Sequence, residues 1–246
     1  MACAATVRIG PARQTFWALA LPGEGRMRER TRMLPRRGEV ELIEGAGRAG
    51  GALRPGRFAI RDRGVELELE LAEQEGIEAR CPHGRSEGWT RKQAGIAATG
   101  TLRLDGGPIS AVEALACVDD TAGYHARVTE WRWSTGVGVA ADGSAVAWNL
   151  VSGINDPPAG SERAVWREGV PAEVGPVSFA DDLSAIDACD GSRLDFQAEA
   201  ERVRRENLLI LSSDYRAPFG TFSGTLPGGI ELASGRGVME HHRARW

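Results

Sequence analysis

The chain has 246 residues, 42% of them hydrophobic and 26% charged, enough for a sizeable core in one large domain or two smaller ones. Its net charge of -4 supplies no basic field for nucleic acid or an acidic membrane surface. The longest apolar stretch, around "TFWALAL" at residues 15–21, is far too short to span a bilayer.

The opening "MACAATVRIG" lacks a charged segment followed by an apolar run, so no signal peptide is expected. Cys3, Cys81, Cys117 and Cys189 lie far apart and form no CxxC pair, which argues against a zinc site or a disulfide framework. A reduced, cytoplasmic protein without metal or cofactor is the expectation. Lys92 is the only lysine; the arginine skew is read as the base composition of a GC-rich genome rather than as a binding function.

In chain order, residues 1–23 read as strand, turn at "IGPAR", strand. "VELIE" at 40–44 is a strand and "GAGRAGGALRPG" at 45–56 a flexible loop. Val65, Leu67, Leu69 and Leu71 then alternate with Glu66, Glu68 and Glu70, which a strand sorts onto two faces and a helix scatters. The glycine of "RDRG" marks a hairpin ahead of that run. "PISAVEALACV" at 108–118 is ambiguous between helix and strand. Two strand-rich halves, 1–104 and 105–246, are expected to meet near residues 104–116. "AADGSA" reads as a two-residue hairpin turn. Gly136 and Gly138 read as turn or bulge glycines, because "GVGVAADG" lacks the third glycine and the helix of a nucleotide fingerprint. "DDLSAIDAC" at 181–189 is the one short helix expected, capped by Asp181 or Asp182. Nearly everything else is strand and turn, and no P-loop, GxSxG elbow or HExxH helix occurs.

Candidate chemistry gathers in the second half. In "DDTAGYHARVTEWRWS" at 119–134, strand alternation places Thr129, Trp131 and Trp133 on one face, as core aromatics or as pocket walls. Asp119 and Asp120 read either as turn caps or as a catalytic acid, with Tyr124 and Arg127 able to orient it. Trp148 and Asn149 are neighbours, so one faces inward and the other outward; an inward Asn149 must find polar partners. Asn155, Asp156 and Glu162 flank a proline-stopped loop, and Trp166 follows it. At the C-terminus Glu240, His242 and Trp246 share a face of a strand, and the carboxylate can hold the imidazole protonated. No third ligand accompanies this pair, so no metal is expected. His83 and His125 have no obvious partners.

"DDTAGYHARVTEWRWSTGVG", "AWNLVSGINDPPAGSERAVW", "DYRAPFGTFSGTLPGGIELASGRGVMEHHRARW" and "RIGPARQTFWAL" together resemble the DUF2804 family of uncharacterised bacterial proteins, over nearly the whole chain. Those blocks carry Tyr215 and the residues just named. The family is similar, more distantly, to carotenoid 1,2-hydratase and AttH-type proteins. The resemblance implies an all-β chain of tandem lipocalin-like (calycin) antiparallel β-barrels, which agrees with the strand-and-hairpin reading. Position 241 is histidine where relatives carry an acidic residue, leaving Glu240 and His242 as the matching pair. The resemblance further implies a chain that begins inside the family's first barrel, so that barrel is expected to be incomplete, with an unpaired edge.

Two functions from different classes follow, beside a purely structural reading in which charged pairs only pin strands. The leading one is binding of an apolar small molecule, lipid or isoprenoid-like, in a barrel pocket lined by Arg127, Trp131, Trp133, Asn149, Asn155, Glu162, Trp166 and Tyr215. The alternative is a hydratase- or cyclase-like enzyme acting on an isoprenoid double bond. Asp119 or Asp120 then supplies the proton, Tyr124 assists, a tryptophan faces the cation, and Glu240 with His242 forms a second candidate pair.

Overall fold

The computed structural model describes residues 1–21, 25, 27–33, 38–45, 55–83, 86–124, 126–208 and 211–245. Every helix or strand among them is a strand: β1 (Ala2–Ile9), β2 (Ala12–Ala20), β3 (Met27–Arg32), β4 (Val40–Ile43), β5 (Gly56–Asp62), β6 (Val65–Leu71), β7 (Ile77–His83), β8 (Ser86–Leu104), β9 (Ser110–Gly123), β10 (Val128–Ala140), β11 (Ala145–Ser152), β12 (Ala164–Arg167), β13 (Val170–Glu173), β14 (Val177–Phe179), β15 (Ala185–Ala188), β16 (Arg193–Leu208), β17 (Leu211–Leu226) and β18 (Ile230–Arg245). The expected loop at 45–56 lies mostly outside the described residues, as do His125, Trp246 and the side chain of His83.

The chain forms two compact units, Met1–Glu75 with Ile96–Ala116 and Gly76–Gly95 with Cys117–Trp246. This differs from a single cut after residue 104. The reason is the length of β8: its first part pairs with β7 and its second with β6, and β9 also pairs with it.

In the first unit β1, β2 and β3 form one antiparallel sheet, and β4, β5 and β6 lead onto β8 in another. The expected alternation of β6 is present: Val65, Leu67 and Leu71 are buried while Glu66 and Glu70 are exposed. Val65 and Leu67 pack with Trp17, Leu19 and Ile60, and Glu68 meets Arg57 and Arg61 across the strand pair. Arg63 and Gly64 both take positive φ, 50° and 74°, as a two-residue hairpin turn requires.

In the second unit nine strands run in the order β13-β12-β11-β10-β18-β17-β16-β15-β14. The sheet curls until β14 contacts β11, enclosing a core of Trp148, Leu150, Leu183, Leu194, Leu226 and Met239, each at most 1% exposed. The expectation that only one of Trp148 and Asn149 faces inward fails, since both are buried. They point to opposite faces, but β7 and the start of β8 cover the second one. There Ile77 and Ala94 pack on Ala147, Ala164 and Trp166.

Other sequence expectations are corrected here. Gly136 and Gly138 stand inside β10 rather than at a turn or bulge, and the register shift falls later, between Val139 and Ala140. A β-carbon on Gly136 would come 2.2 Å from the Trp148 ring, so this glycine answers a close approach. Gly136→Ala is expected to cost about 1–3 kcal/mol through overpacking, read as a lower urea midpoint. Residues 181–189 form a turn and β15, not a helix, because the Asp182 carboxylate accepts from the Ser184 N–H and hydroxyl and Leu183 adopts φ 64°. Asp119 and Asp120 sit in β9 rather than in a turn, and the ambiguous 108–118 segment enters the same strand. The "AADGSA" hairpin has three loop residues, closed by the Ala140 N–H on the Ser144 carbonyl, with only Gly143 at positive φ.

Candidate functional site

The second face of the curled sheet carries a polar cluster. Trp131 lies opposite His242 and Trp133 opposite Glu240 across β10 and β18, and Tyr215 of β17 lies opposite His242. Residues directly opposite share a face, so both tryptophans point the same way, as alternation predicted. The Trp131 Nε1–H donates to Glu240 Oε1 at 2.8 Å, and the Tyr215 hydroxyl donates to the same carboxyl group. The His242 ring packs 4.4 Å from Trp131 and 5.2 Å, edge-on, from Tyr215. Its Nε2 lies 2.8 Å from the Ser213 hydroxyl. Arg202 stacks 4.9 Å from the Tyr215 ring.

Beside this group a chain of amides fixes a second carboxyl. The Trp133 Nε1–H donates to Asn149 Oδ1 at 2.8 Å, and Asn149 Nδ2 donates to the Glu162 carbonyl at 2.8 Å. Asn155, held at φ 50°, donates to Glu162 Oε2 at 3.0 Å. Sequence reasoning assembled these residues, and the structure joins them. A buried amide must be satisfied on both ends, and Asn149 is.

The strands β8 and β9 supply the remaining groups in alternation. Thr90 and Thr121 approach at 3.2 Å, Arg91 pairs with Asp120 at 2.7 Å, and Lys92 pairs with Asp119 at 2.5 Å. Lys92 also reaches Glu162 at 3.5 Å and lies 5.9 Å from the centre of the Trp133 ring. The two neighbouring aspartates therefore serve different partners: Asp119 joins the cluster and Asp120 is taken up by Arg91. Exposure grades across the site. The Lys92 and Glu162 side chains are 5% and 3% exposed, and that of Asp119 is 44% exposed. Asp119 is the solvent-facing member of the cluster.

Burial sets the proton affinities. It pushes the Glu240 carboxyl above its usual range, against the pull of the Trp131 and Tyr215 hydrogen bonds; Asp119 adds to the rise and Lys92 opposes it. Burial likewise raises Glu162, with Lys92 opposing. Burial alone would lower the Lys92 ammonium, but Asp119 and Glu162 carry it above the ordinary lysine value. Lys92 is thus an ammonium whose firm partner is Asp119, with Glu162 more distant.

His242 departs from expectation. Burial, reinforced by the charges of His241 and Arg202, depresses its pKa to about 4, with Asp214 opposing. Glu240 does not hold it protonated, because that carboxyl is itself driven toward its neutral form. The linkage follows from the sign of the shift. An unfolded imidazole takes up a proton below about 6.5 that the native one refuses. The stability from His242 is therefore complete above that value and is lost as pH falls through about 4. His242→Gln is expected to remove up to about 3 kcal/mol of the acid-side loss, measured as urea midpoints at the two ends of the interval.

Three candidates from the sequence do not join the site. Tyr124 is 77% exposed and Arg127 is exposed in the connector between β9 and β10. Both follow the end of β9 at Gly123, so nearness in sequence misplaced them. Trp166 is buried in the apolar patch with Ala94 and Ala164. Lys92, Thr90, Ser213 and Arg202 were missed; the lone lysine of an arginine-rich chain was the available signal.

A groove of about 670 Å³, lined in part by Val137, Phe196, Thr221, Phe222 and Arg236, opens on this unit. Arg236 and Val238 precede Glu240 on the same face of β18. Among the described residues no group of three or more metal-ligating side chains occurs, and no helix is long and apolar enough to cross a membrane.

The sequence profile described as "Domain of unknown function (DUF2804)" matches residues 52–246. No curated protein matches the chain. Among solved structures, kievitone hydratase from Nectria haematococca is similar over 100% of this chain and 83% of its own, with a TM-score of 0.59 and 10% identity. A protein assigned as an AttH, from Nitrosomonas europaea, is similar over 94% of this chain and 80% of its own, with a TM-score of 0.52 and 14% identity. At these identities the likeness is one of fold, the all-β lipocalin-like architecture expected from the sequence.

Proposed function

Since the chain belongs to the DUF2804 family, whose description assigns no activity, we propose from its own site that it is an acid–base enzyme of the hydratase type. Its substrate is a small apolar molecule with a double bond, of isoprenoid character. The observation that carries this reading is Glu240, a half-buried residue whose carboxyl is raised in proton affinity by desolvation and is fixed by Trp131 and Tyr215.

A carboxyl that keeps its proton near neutral pH is what protonation of an alkene carbon requires. Trp131 and Trp133 offer π faces to the positive charge that develops on the neighbouring carbon. Glu240 replaces Asp119 and Asp120 as the acid of this scheme, because those aspartates are paired with Lys92 and Arg91. A hydratase among the fold neighbours supports the reaction class by analogy alone.

The test is incubation of the purified protein with a panel of isoprenoid alkenes, followed by mass spectrometry for the gain of one water. Turnover that disappears in Glu240→Gln supports the reading. A folded parent protein that hydrates no member of the panel contradicts it.

Binding without turnover is the second reading, favoured by the groove near Phe196 and Phe222, whose volume lies in the range of small-molecule pockets. Native mass spectrometry distinguishes the two: a retained, unchanged apolar ligand supports binding alone.

A further inference from the structure

All other basic side chains in this protein apart from histidine are arginine, and its one lysine lies buried in the cluster described above. We propose that Lys92 is a positioning residue of this site, holding the Asp119 carboxylate at its exposed edge to take the proton of an incoming water while Glu240 supplies one to carbon. The inference rests on the acid–base reading of Glu240.

The geometry favours a point charge. A single Nζ meets Asp119 at 2.5 Å and Glu162 at 3.5 Å beside the Trp133 ring, whereas the planar fork of an arginine spreads its donors and cannot converge in this way. Exposure divides the labour. Lys92 is closed off at 5% while Asp119 is 44% exposed, so water reaches the carboxylate and not the ammonium. Burial drives Glu162 and Glu240 toward their neutral forms, and a carboxylate kept beside them needs a counter-charge. Lys92 is that charge.

In a hydration the Glu240 O–H bond breaks as a C–H bond forms on one alkene carbon. The water oxygen bonds to the other carbon and releases its proton to Asp119. That proton leaves to solvent through the half-exposed carboxylate, and Glu240 is reprotonated from solvent. Alkene and water become an alcohol, with no other reactant consumed.

Trp131 from β10 and Tyr215 from β17 hydrogen-bond Glu240, and the charges of Asp119 on β9 and Lys92 on β8 act on it electrostatically. The last two act on it in opposite directions, which makes a cycle of variants decisive without any substrate. The full chain, labelled with ¹³C at glutamate carboxyl carbons and assigned through Glu240→Gln, is titrated by NMR as parent, Lys92→Met, Asp119→Asn and the double variant. Lys92→Met is expected to move the Glu240 titration up, Asp119→Asn to move it down, and the double variant to return toward the parent. Both single variants shifting the same way, or neither shifting, overturns the proposal. Should Lys92→Met not fold, Asp119→Asn decides alone: a downward shift supports it and no shift overturns it. A parent Glu240 that titrates in the ordinary range contradicts the acid reading itself. A raised Glu240 indifferent to both neighbours contradicts only the role of Lys92.

Discussion

Glu240→Gln is expected to lower turnover of any alkene the protein hydrates by about 10²–10⁴-fold, the usual contribution of a positioned general acid. The amide keeps an acceptor for Trp131 and Tyr215 but has no acidic proton, so substrate binding is expected to change little and the loss to fall on kcat. The same variant carries a stability signature. A carboxyl raised by burial favours the native state below its ordinary value, and this advantage is lost as pH rises through the folded value. The parent is therefore expected to lose thermal stability toward alkaline pH more steeply than Glu240→Gln. Parallel melting curves for the two proteins across that range would remove the basis for a protonated Glu240.

The second large effect belongs to the opposite face of the sheet. Trp148→Ala is expected to destabilise the protein by about 3–5 kcal/mol, the range for deleting a fully enclosed aromatic side chain. The indole is 0% exposed, touches Phe222 edge-on at 4.9 Å, and donates to the Ser134 hydroxyl at 3.1 Å. Truncation leaves a cavity and a buried hydroxyl without its donor. In a Ser134→Ala background the cost should therefore shrink by part of the hydrogen-bond contribution, about 0.5–1.5 kcal/mol. Chemical denaturation of the four proteins reads both terms, and equal costs in the two backgrounds would show that the hydrogen bond contributes nothing. Residue 149, one step along β11, reports instead on the polar site. Adjacent positions of one strand thus divide stability from chemistry.

That division explains what could be read before the fold was known. The alternation of Val65 to Leu71 and the glycine turns are local, so strands and hairpins were legible. So was the shared face of Trp131 and Trp133, and of Glu240 and His242, because a period of two residues needs no tertiary knowledge. Glu162, Asn149 and Asn155 were legible as polar residues next to a loop, since buried amides demand partners. Lys92 was not. It reaches Asp119 only because β8 and β9 run side by side, and the arginine bias looked like base composition. Tyr124 and Arg127 failed for the converse reason: they follow Asp119 closely in sequence, but the strand ends between them. The fate of His242 was also hidden. A carboxylate two residues away suggests a charged imidazole, and only burial of both groups reverses that. The helix expected at 181–189 lost to an Asp182 turn, where local side-chain hydrogen bonds compete with helical ones.

Acid catalysis by Glu240 requires its carboxyl to be protonated in the folded protein, and difference infrared spectroscopy of parent against Glu240→Gln at neutral pH reads that state directly. A carbonyl stretch of a protonated carboxyl, present in the parent and absent from the variant, is the predicted result. A difference spectrum showing only the paired bands of an ionised carboxylate would contradict it.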